Sequence, residues 1–465
     1  MDGRPNIVYI ISDQFRGDCL GCLGHRIVET PHLDQLAWEG VVFRKAYSPC
    51  PSCVPARRCI MTGKTPSGAG FVGYRDNEPW DYRTTLAGEL TRGGYQTINI
   101  GKTHFYPERL HLGFEQLVTF PGDYEEWLSS KGIEGGRLSH GVDRNSWIAR
   151  PHSLPEHLSE EVWTVNNAER FLEKRDPTRP FFMCLSFNGP HPPWCPPEVY
   201  YDRFMSMELP EPVVGDWVAE HDVPITDVNA WQGRLTGQAL RRARAAYFAY
   251  IAFIDGQIGR FMAFLKRAGH SNTWVVFCSD HGEMLGDHHL WRKTYAYEAS
   301  ARIPLIIRPP VGERLFEDWR RDDLVGLEDM MPTLLEIAGL PVPEEVEGRS
   351  ILGLRDGSVR PRSFYHGEHA PCYTQDNAHQ FLTDGHWKYI WNPVTGTERF
   401  FNLREDPEEC RDLSGRAAFQ ERLEHWRSRL ARHLEGRVEG FSDGKRLKKT
   451  VPGAILGGEP GDYLA

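Results

Sequence analysis

A chain of 465 residues with 40% apolar content is long enough for one large domain and a smaller one. A formal net charge of -10 argues against nucleic acid or an anionic membrane surface as a partner, although a local basic cluster can still hold a small anion. The apolar run at 7–11 is too short for a signal-peptide core with its cleavage site, and no stretch reads as a bilayer span. A cytoplasmic, bacterial protein with no membrane partner is therefore expected.

Residues 5–12 read as a buried strand that ends in Ser12-Asp13-Gln14. An acid at the C-terminal tip of such a strand lies where α/β folds place their ligands. Thr30-Pro31 opens a helix, with Thr30 as the cap and Pro31 in the first turn; Gly40 ends it and 41–43 start the next strand. The segment Ser52-Cys53-Val54-Pro55-Ala56-Arg57, closed by Thr62-Gly63, reads as a loop feeding a helix. Cys53 then stands at the helix mouth, where free N–H groups favour negative charge, and Arg57 follows on the same face. A sulfur beside a guanidinium there suits an anion or a nucleophile.

A helix over 84–92 and a strand over 95–100 lead to Gly101-Lys102-Thr103-His104, which presents a cation and an imidazole on one face of a strand tip. Residues 121–155 read as a long loop forming a wall of the pocket. A helix over 159–174 and a strand over 180–187 follow, and prolines then brace His191 in Pro190-His191-Pro192-Pro193. Residues 198–232 read as irregular. A long helix over 235–267 carries the stripe Tyr247, Tyr250, Ile251, Ile254, Ile258, Phe261 and Leu265, a core-facing pattern.

A strand over 274–278 ends in Asp280-His281-Gly282, two adjacent metal-ligand types followed by a residue that permits close backbone approach. Lys293, a strand over 303–308 and a helix over 327–340 containing Pro332 come next. Beyond about 363 the chain reads as a hairpin (387–391 with 398–403) and a helix over 419–434. Cys19-x-x-Cys22 and Cys50-x-x-Cys53 lie too far apart for a zinc ribbon, and ten reduced thiols suit a cytosolic chain.

Cys53-x-Pro55-x-Arg57 with Thr62-Gly63 resembles the signature of the type I, formylglycine-dependent sulfatases of the alkaline phosphatase superfamily. Gly101-Lys102-x-His104, Pro190-His191-x-Pro193, Asp280-His281, Lys293 and the Asn402-Leu403-x-x-Asp406-Pro407-x-Glu409 tail are similar to that family's blocks, in the same order. Two positions depart from its pattern. Ala56 stands where serine is commoner, and Gln14 stands where a second aspartate is usual, with one charge less.

The resemblance implies an α/β fold with a large mixed, mostly parallel sheet flanked by helices (residues 1–360) and a smaller C-terminal α+β subdomain (361–465). It implies hydrolysis of a small-molecule sulfate monoester. Cys53 would be oxidised to formylglycine by a maturation enzyme, and the hydrate would attack sulfur. Asp13, Gln14, Asp280 and His281, with the group made from Cys53, would hold one divalent cation. Calcium comes first; manganese or magnesium is the alternative, since His281 is softer than oxygen. Arg57, Lys102, His104, His191 and Lys293 would form the basic ring. Within it His191, helped by Lys293, would protonate the leaving alcohol, and His104, with Lys102, would assist sulfate release.

Two alternatives stay open: a phosphonate monoester or phosphodiester hydrolase of the same superfamily, and an inactive binding homologue with unmodified Cys53. His366-Gly367-Glu368-His369 reads either as a polar loop or as a reach towards the pocket or a second metal. Trp194 and Trp231 could line a ring or a quaternary ammonium, or lie in the core. The alcohol and the oligomeric state, a homo-oligomer included, are not legible.

Overall fold

The computed structural model describes residues 3–133, 135, 141–374 and 377–456. Its centre is β1 (Asn6–Asp13), buried from Ile7 onward. Side chains alternate across a strand, so Val8 and Ile10 face one layer while Ile7, Tyr9 and Ile11 face the other. Both faces are covered, which is why the strand carries large hydrophobic side chains continuously from Ile7 to Ile11. Each fully buried side chain of this kind stabilises the fold by roughly 1.5–3 kcal/mol.

The first half of the chain supplies α1 (Pro31–Glu39), β2 (Val41–Phe43), β3 (Ala46–Tyr47), α2 (Cys53–Thr62), α3 (Leu86–Arg92), β4 (Gln96–Lys102), β5 (Gln116–Phe120), α4 (Gly122–Ser130), α5 (Glu160–Lys174), β6 (Phe181–Pro190) and α6 (Glu198–Met205). Next come α7 (Gly237–Arg267), β7 (Thr273–Cys278), α8 (Glu298–Ala301), β8 (Arg302–Ile303), β9 (Leu305–Arg308), β10 (Arg320–Arg321), β11 (Val325–Gly326) and α9 (Met330–Ile337). The eight-stranded sheet has the order β10-β2-β9-β7-β1-β6-β4-β5. It is mixed and mostly parallel: β1 runs parallel to β6 and β7, and β4 to β5 and β6, while β9 runs antiparallel to both its neighbours. Helices α1, α5 and α7 pack on the Val8 face, and α2, α3 and α9 on the Tyr9 face. A small sheet, β11-β3-β8, lies beside it.

The C-terminal region forms β12 (Tyr365–His369), β13 (His379–Thr383), β14 (Trp387–Trp391), β15 (Glu398–Asn402) and α10 (Gln420–His433). The four strands are antiparallel in sequence order. One face, with Leu382, Tyr389 and Phe400, packs on Leu423, Trp426 and Leu430 of α10; the other, with Phe381 and Phe401, packs on Tyr47 and Leu324.

Several local expectations are corrected. The span 121–155 contains α4, whose Tyr124 and Leu128, one turn apart, pack with Trp163. The span 198–232 opens with α6, anchored by Tyr201 and Phe204. The strand expected over 303–308 divides into β8 and β9 in different sheets. Pro304 lies between them and offers no N–H to a ladder. In α9 the helix starts at Met330, so Pro332 sits in the first turn, where its missing N–H costs nothing.

Thr30 does not cap α1: its hydroxyl donates to Asp34, and Asp255 of α7 accepts the N–H groups of His32 and Leu33 at 3.2 and 2.8 Å. By length and composition α7 could cross a membrane, contrary to the sequence reading. Here it is the core-facing helix, with its whole predicted stripe buried.

Candidate active site

The parallel strands β7, β1, β6 and β4 are neighbours, so their C-terminal ends form one edge, the crevice where open α/β sheets bind ligands. β1 delivers Asp13, β4 delivers Lys102, and the segments after β6 and β7 deliver His191 and Asp280-His281. Two glycines allow the close approach. A Cβ on Gly101 (φ 97°) would lie 2.0 Å from the Ser186 carbonyl oxygen of β6, and one on Gly282 would lie 2.0 Å from that of Ala299. Helix α2 is buried along its whole length, begins at Cys53 and ends at Gly63 in a left-handed turn (φ 65°). The nucleophile candidate thus stands at a helix N-terminus, as its sequence context predicts.

Cys53 Sγ lies 3.0 Å from His281 Nε2, 3.1 Å from Lys293 Nζ and 3.7 Å from Asp13 Oδ1. Lys102 Nζ is 2.7 Å from Asp13 Oδ2. Burial raises the Cys53 thiol, but Lys293, His281 and Lys102 outweigh it and hold the group well below the ordinary thiol range. Burial and Cys53 push Asp13 up, yet Lys102, His191 and Arg57 keep it well below the usual carboxylate range. Asp280 is raised by burial and by the facing charge of Asp13. His281 Nδ1 meets the Gly282 carbonyl at 2.9 Å, which turns Nε2 towards Cys53 and the two carboxylates. Ligand atoms of Asp13, Cys53, Asp280 and His281 all lie within 4.8 Å of one another and are buried, a grouping that fits one cation.

Arg57 takes a different place from the one expected. It lies beneath the cluster, donating to Asp280, Asp13, Ser186 and the Lys102 carbonyl, and does not line the cavity. Gln14 Oε1 accepts from Lys293 Nζ at 3.0 Å, and its Nε2 contacts Glu283, so its amide oxygen is shared with a cation.

The other predicted groups line one cavity of about 640 Å³ with Cys53: Lys102, His104, His191 and Lys293. Burial, then Lys293 and Lys102, pushes His191 down to about 3, so its imidazole is neutral in the free site. His104 (φ 59°) sits 3.6 Å from Asp76 and edge-on to Tyr74. Arg144 and Asn145 also line the cavity, so the 121–155 segment does supply a wall. A second cavity, of about 760 Å³, opens where β7 begins, at the opposite end of the strands from Cys53.

Sequence reasoning missed Glu283, buried and three residues past Asp280. It accepts the Leu285 and Arg292 N–H groups and so fixes the turn that carries Lys293. It also missed Cys372 and Tyr373, which reach the cavity from beyond residue 363 with no local signal. His366 and His369 are strand residues of β12. His366 pairs with Gln380, Glu368 with Arg437, and no metal grouping forms there among the described residues. Trp194 is core, against Tyr247 and Trp291, whereas Trp231 stacks on Tyr373 at 5.6 Å. All ten cysteines are free thiols.

The family profile described as Sulfatase matches residues 5–340. The chain belongs to the sulfatase family. It is a sulfuric ester hydrolase of the alkaline phosphatase superfamily, and a second profile, N-sulphoglucosamine sulphohydrolase C-terminal, matches residues 286–435. An arylsulfatase of Clostridium perfringens (strain 13 / Type A) is 40% identical, over 97% of this chain and 99% of its own length. A choline-sulfatase of Rhizobium meliloti (strain 1021) is 29% identical, over 89% of this chain and 83% of its own length. Among solved structures, the phosphonate monoester hydrolase of Agrobacterium radiobacter superposes with a TM-score of 0.79 at 25% identity, covering 92% of this chain and 95% of that one. The sulfatase match covers every strand-tip residue described above.

Proposed function

We propose that this sulfatase hydrolyses a small-molecule sulfate monoester with a nucleophile made from Cys53 by a formylglycine-generating maturation enzyme, assisted by one divalent cation. Calcium is the first candidate, with manganese or magnesium as alternatives. The observation that carries the reading is the position of Cys53 Sγ: at the N-terminus of α2, within 3.1 Å of both His281 and Lys293 and facing Asp13.

Water and the ester R–O–SO₃⁻ give the alcohol, sulfate and a proton. The aldehyde hydrate supplies an oxygen nucleophile that can later be regenerated. Asp13, Asp280 and His281, with Gln14 at their side, would hold the cation, whose chemistry is to polarise a sulfate oxygen. Arg57 would fix the two carboxylates at one separation and orientation, an indirect role. Lys102 and Lys293 would neutralise charge on the sulfate oxygens.

His191 would give a proton to the leaving alcohol oxygen. Its neutral imidazole must first gain that proton, and an arriving anion favours this by opposing the fields of Lys293 and Lys102. His104, beside Lys102, would take a proton as sulfate leaves. The same proposal divides the chain at 360/361 into a catalytic part and a C-terminal part that closes the cavity with Cys372 and Tyr373.

A second reading, phosphonate monoester or phosphodiester hydrolysis, is favoured by the superposition with the phosphonate monoester hydrolase. Sulfate monoesters and phosphodiesters both carry one negative charge, so the basic ring does not choose between them. Turnover of 4-nitrophenyl sulfate, 4-nitrophenyl phenylphosphonate and bis(4-nitrophenyl) phosphate by the matured enzyme decides it. A higher kcat/KM on sulfate supports the first reading, and a higher value on either phosphorus ester moves the chain to the second.

A further inference from the structure

The cavity wall holds a cation that the reaction chemistry leaves unused. Arg292 immediately precedes Lys293, yet the two side chains differ in their partners. Lys293 reaches Cys53 and Gln14, whereas the Arg292 guanidinium lies 5.7 Å over the Tyr373 ring and donates to the Asn229 carbonyl. Arg292 is only 9% exposed, and its Nε is buried without an acceptor.

Among the described residues no carboxylate pairs with its guanidinium; Glu283 touches only its backbone N–H, at 2.6 Å. Its φ of 70° is one that long side chains rarely adopt. The bond to Glu283 holds that turn, and so holds the side chain in the wall. A guanidinium this deeply buried without a counter-charge is costly unless an anion arrives to meet it.

The carboxylates of the cavity are already engaged. Asp76 accepts from the Tyr74 hydroxyl at 2.7 Å and faces His104, and Glu108 accepts from the Gly122 N–H at 2.9 Å. Arg144 lines the same cavity, is exposed and has no ion pair among the described residues.

We propose that Arg292, with Arg144 as a second cation, recognises an anionic group on the alcohol part of the ester, so that the preferred substrates are sulfate esters bearing a second negative charge, a carboxylate above all. The inference rests on the sulfatase reading and names its substrate class. A planar guanidinium presents parallel N–H donors that match a carboxylate, and the Tyr373 ring, 5.7 Å away, covers one of its sides. The same two cations repel a quaternary ammonium alcohol, and Trp194, buried in the core, offers no face to one.

The test compares kcat/KM for 4-carboxyphenyl sulfate and 4-carbamoylphenyl sulfate, which share their shape and differ in charge, together with their 3-substituted isomers and choline O-sulfate. The matured wild-type enzyme is expected to prefer the carboxylate of at least one isomer pair by about tenfold or more, mainly through KM. Choline O-sulfate should be the poorest substrate.

In Arg292→Gln the carboxylate-to-carboxamide ratio should fall close to one, and Arg292→Lys should keep part of it. Equal kcat/KM for carboxylate and carboxamide in the wild type, a ratio that survives Arg292→Gln, or a preference for choline O-sulfate would overturn the inference while leaving the sulfatase reading intact. Failure to turn over any sulfate ester, with a phosphonate ester hydrolysed, would overturn both.

Discussion

The Arg57 guanidinium donates through Nε to Asp280 Oδ2 at 3.0 Å, with both groups buried at the C-terminal edge of the sheet. Through Nη2 it also reaches Asp13 Oδ2 at 3.2 Å, so one planar group spans two carboxylates from different strands. A lysine cannot span them, because it is a point charge on a flexible stem. Arg57→Lys should therefore misplace the proposed cation ligands. The expected result is a loss of about 10²-fold or more in kcat with a lower bound-metal content. Kinetics and elemental analysis of the purified variant check it, and unchanged metal content would contradict the assigned role.

The proposed proton donor makes a prediction about leaving groups. If His191 protonates the departing oxygen, its loss matters most where that oxygen is a poor leaving group. His191→Gln should lower kcat for phenyl sulfate by about 10²–10⁴-fold. For 4-nitrophenyl sulfate, whose phenolate leaves unaided, the loss should be much smaller. An equal loss on both esters would remove His191 from the protonation step.

Cation removal follows from the charge pattern. Asp13 and Asp280 face each other in a buried site, where Arg57 donates to both and His281 Nε2 lies 3.6 and 3.7 Å from them. Chelation should abolish turnover and lower Tm, and readdition of calcium, manganese or magnesium should restore both; the ion that restores most at the lowest concentration is the physiological candidate. Full activity of metal-free protein, verified by elemental analysis, would contradict the cation's role.

Away from the site, Asp255 links stability to pH. Burial raises its carboxyl from 3.8 to about 7, against the pull of the two N–H groups it caps. The unfolded chain ionises first, so the folded state binds the extra proton between about pH 4 and 7. Asp255 thus favours folding fully below about pH 4, loses that contribution as pH rises to about 7, and changes nothing further above it. Asp255→Asn removes the titration. The Tm of wild type relative to this variant should fall by several degrees from pH 4.5 to 7.5, as read by scanning calorimetry. A constant difference would show that the group does not titrate in this window.

How much of this was legible in the chain depended on range. The strand tips were readable because an apolar run ending in Asp13, Lys102, His191 or Asp280 is a local pattern, and in an open α/β sheet such ends lie at the ligand crevice. The α7 stripe was readable for the same reason. The cap of α1 was not: Thr30 has the right chemistry, but Asp255, more than 200 residues away, fills the position. Arg57 was placed on the correct face of α2, yet its contacts depend on which carboxylates lie beneath it, and only tertiary structure decides that. Helices α4 and α6 were hidden by their polar, glycine- and proline-rich surroundings; Tyr124, Leu128, Tyr201 and Phe204 anchor them through packing. Glu283 had a local signal, its closeness to Asp280-His281, whereas Tyr373 had none.

The most direct test of the account is the mass of the peptide containing Cys53, taken from protein expressed with a formylglycine-generating enzyme and assayed in the same sample on an aryl sulfate. The account predicts a loss of about 18 Da at Cys53, the change from thiol to aldehyde, in proportion to specific activity. A fully active sulfatase whose Cys53 remains an unmodified thiol would contradict it.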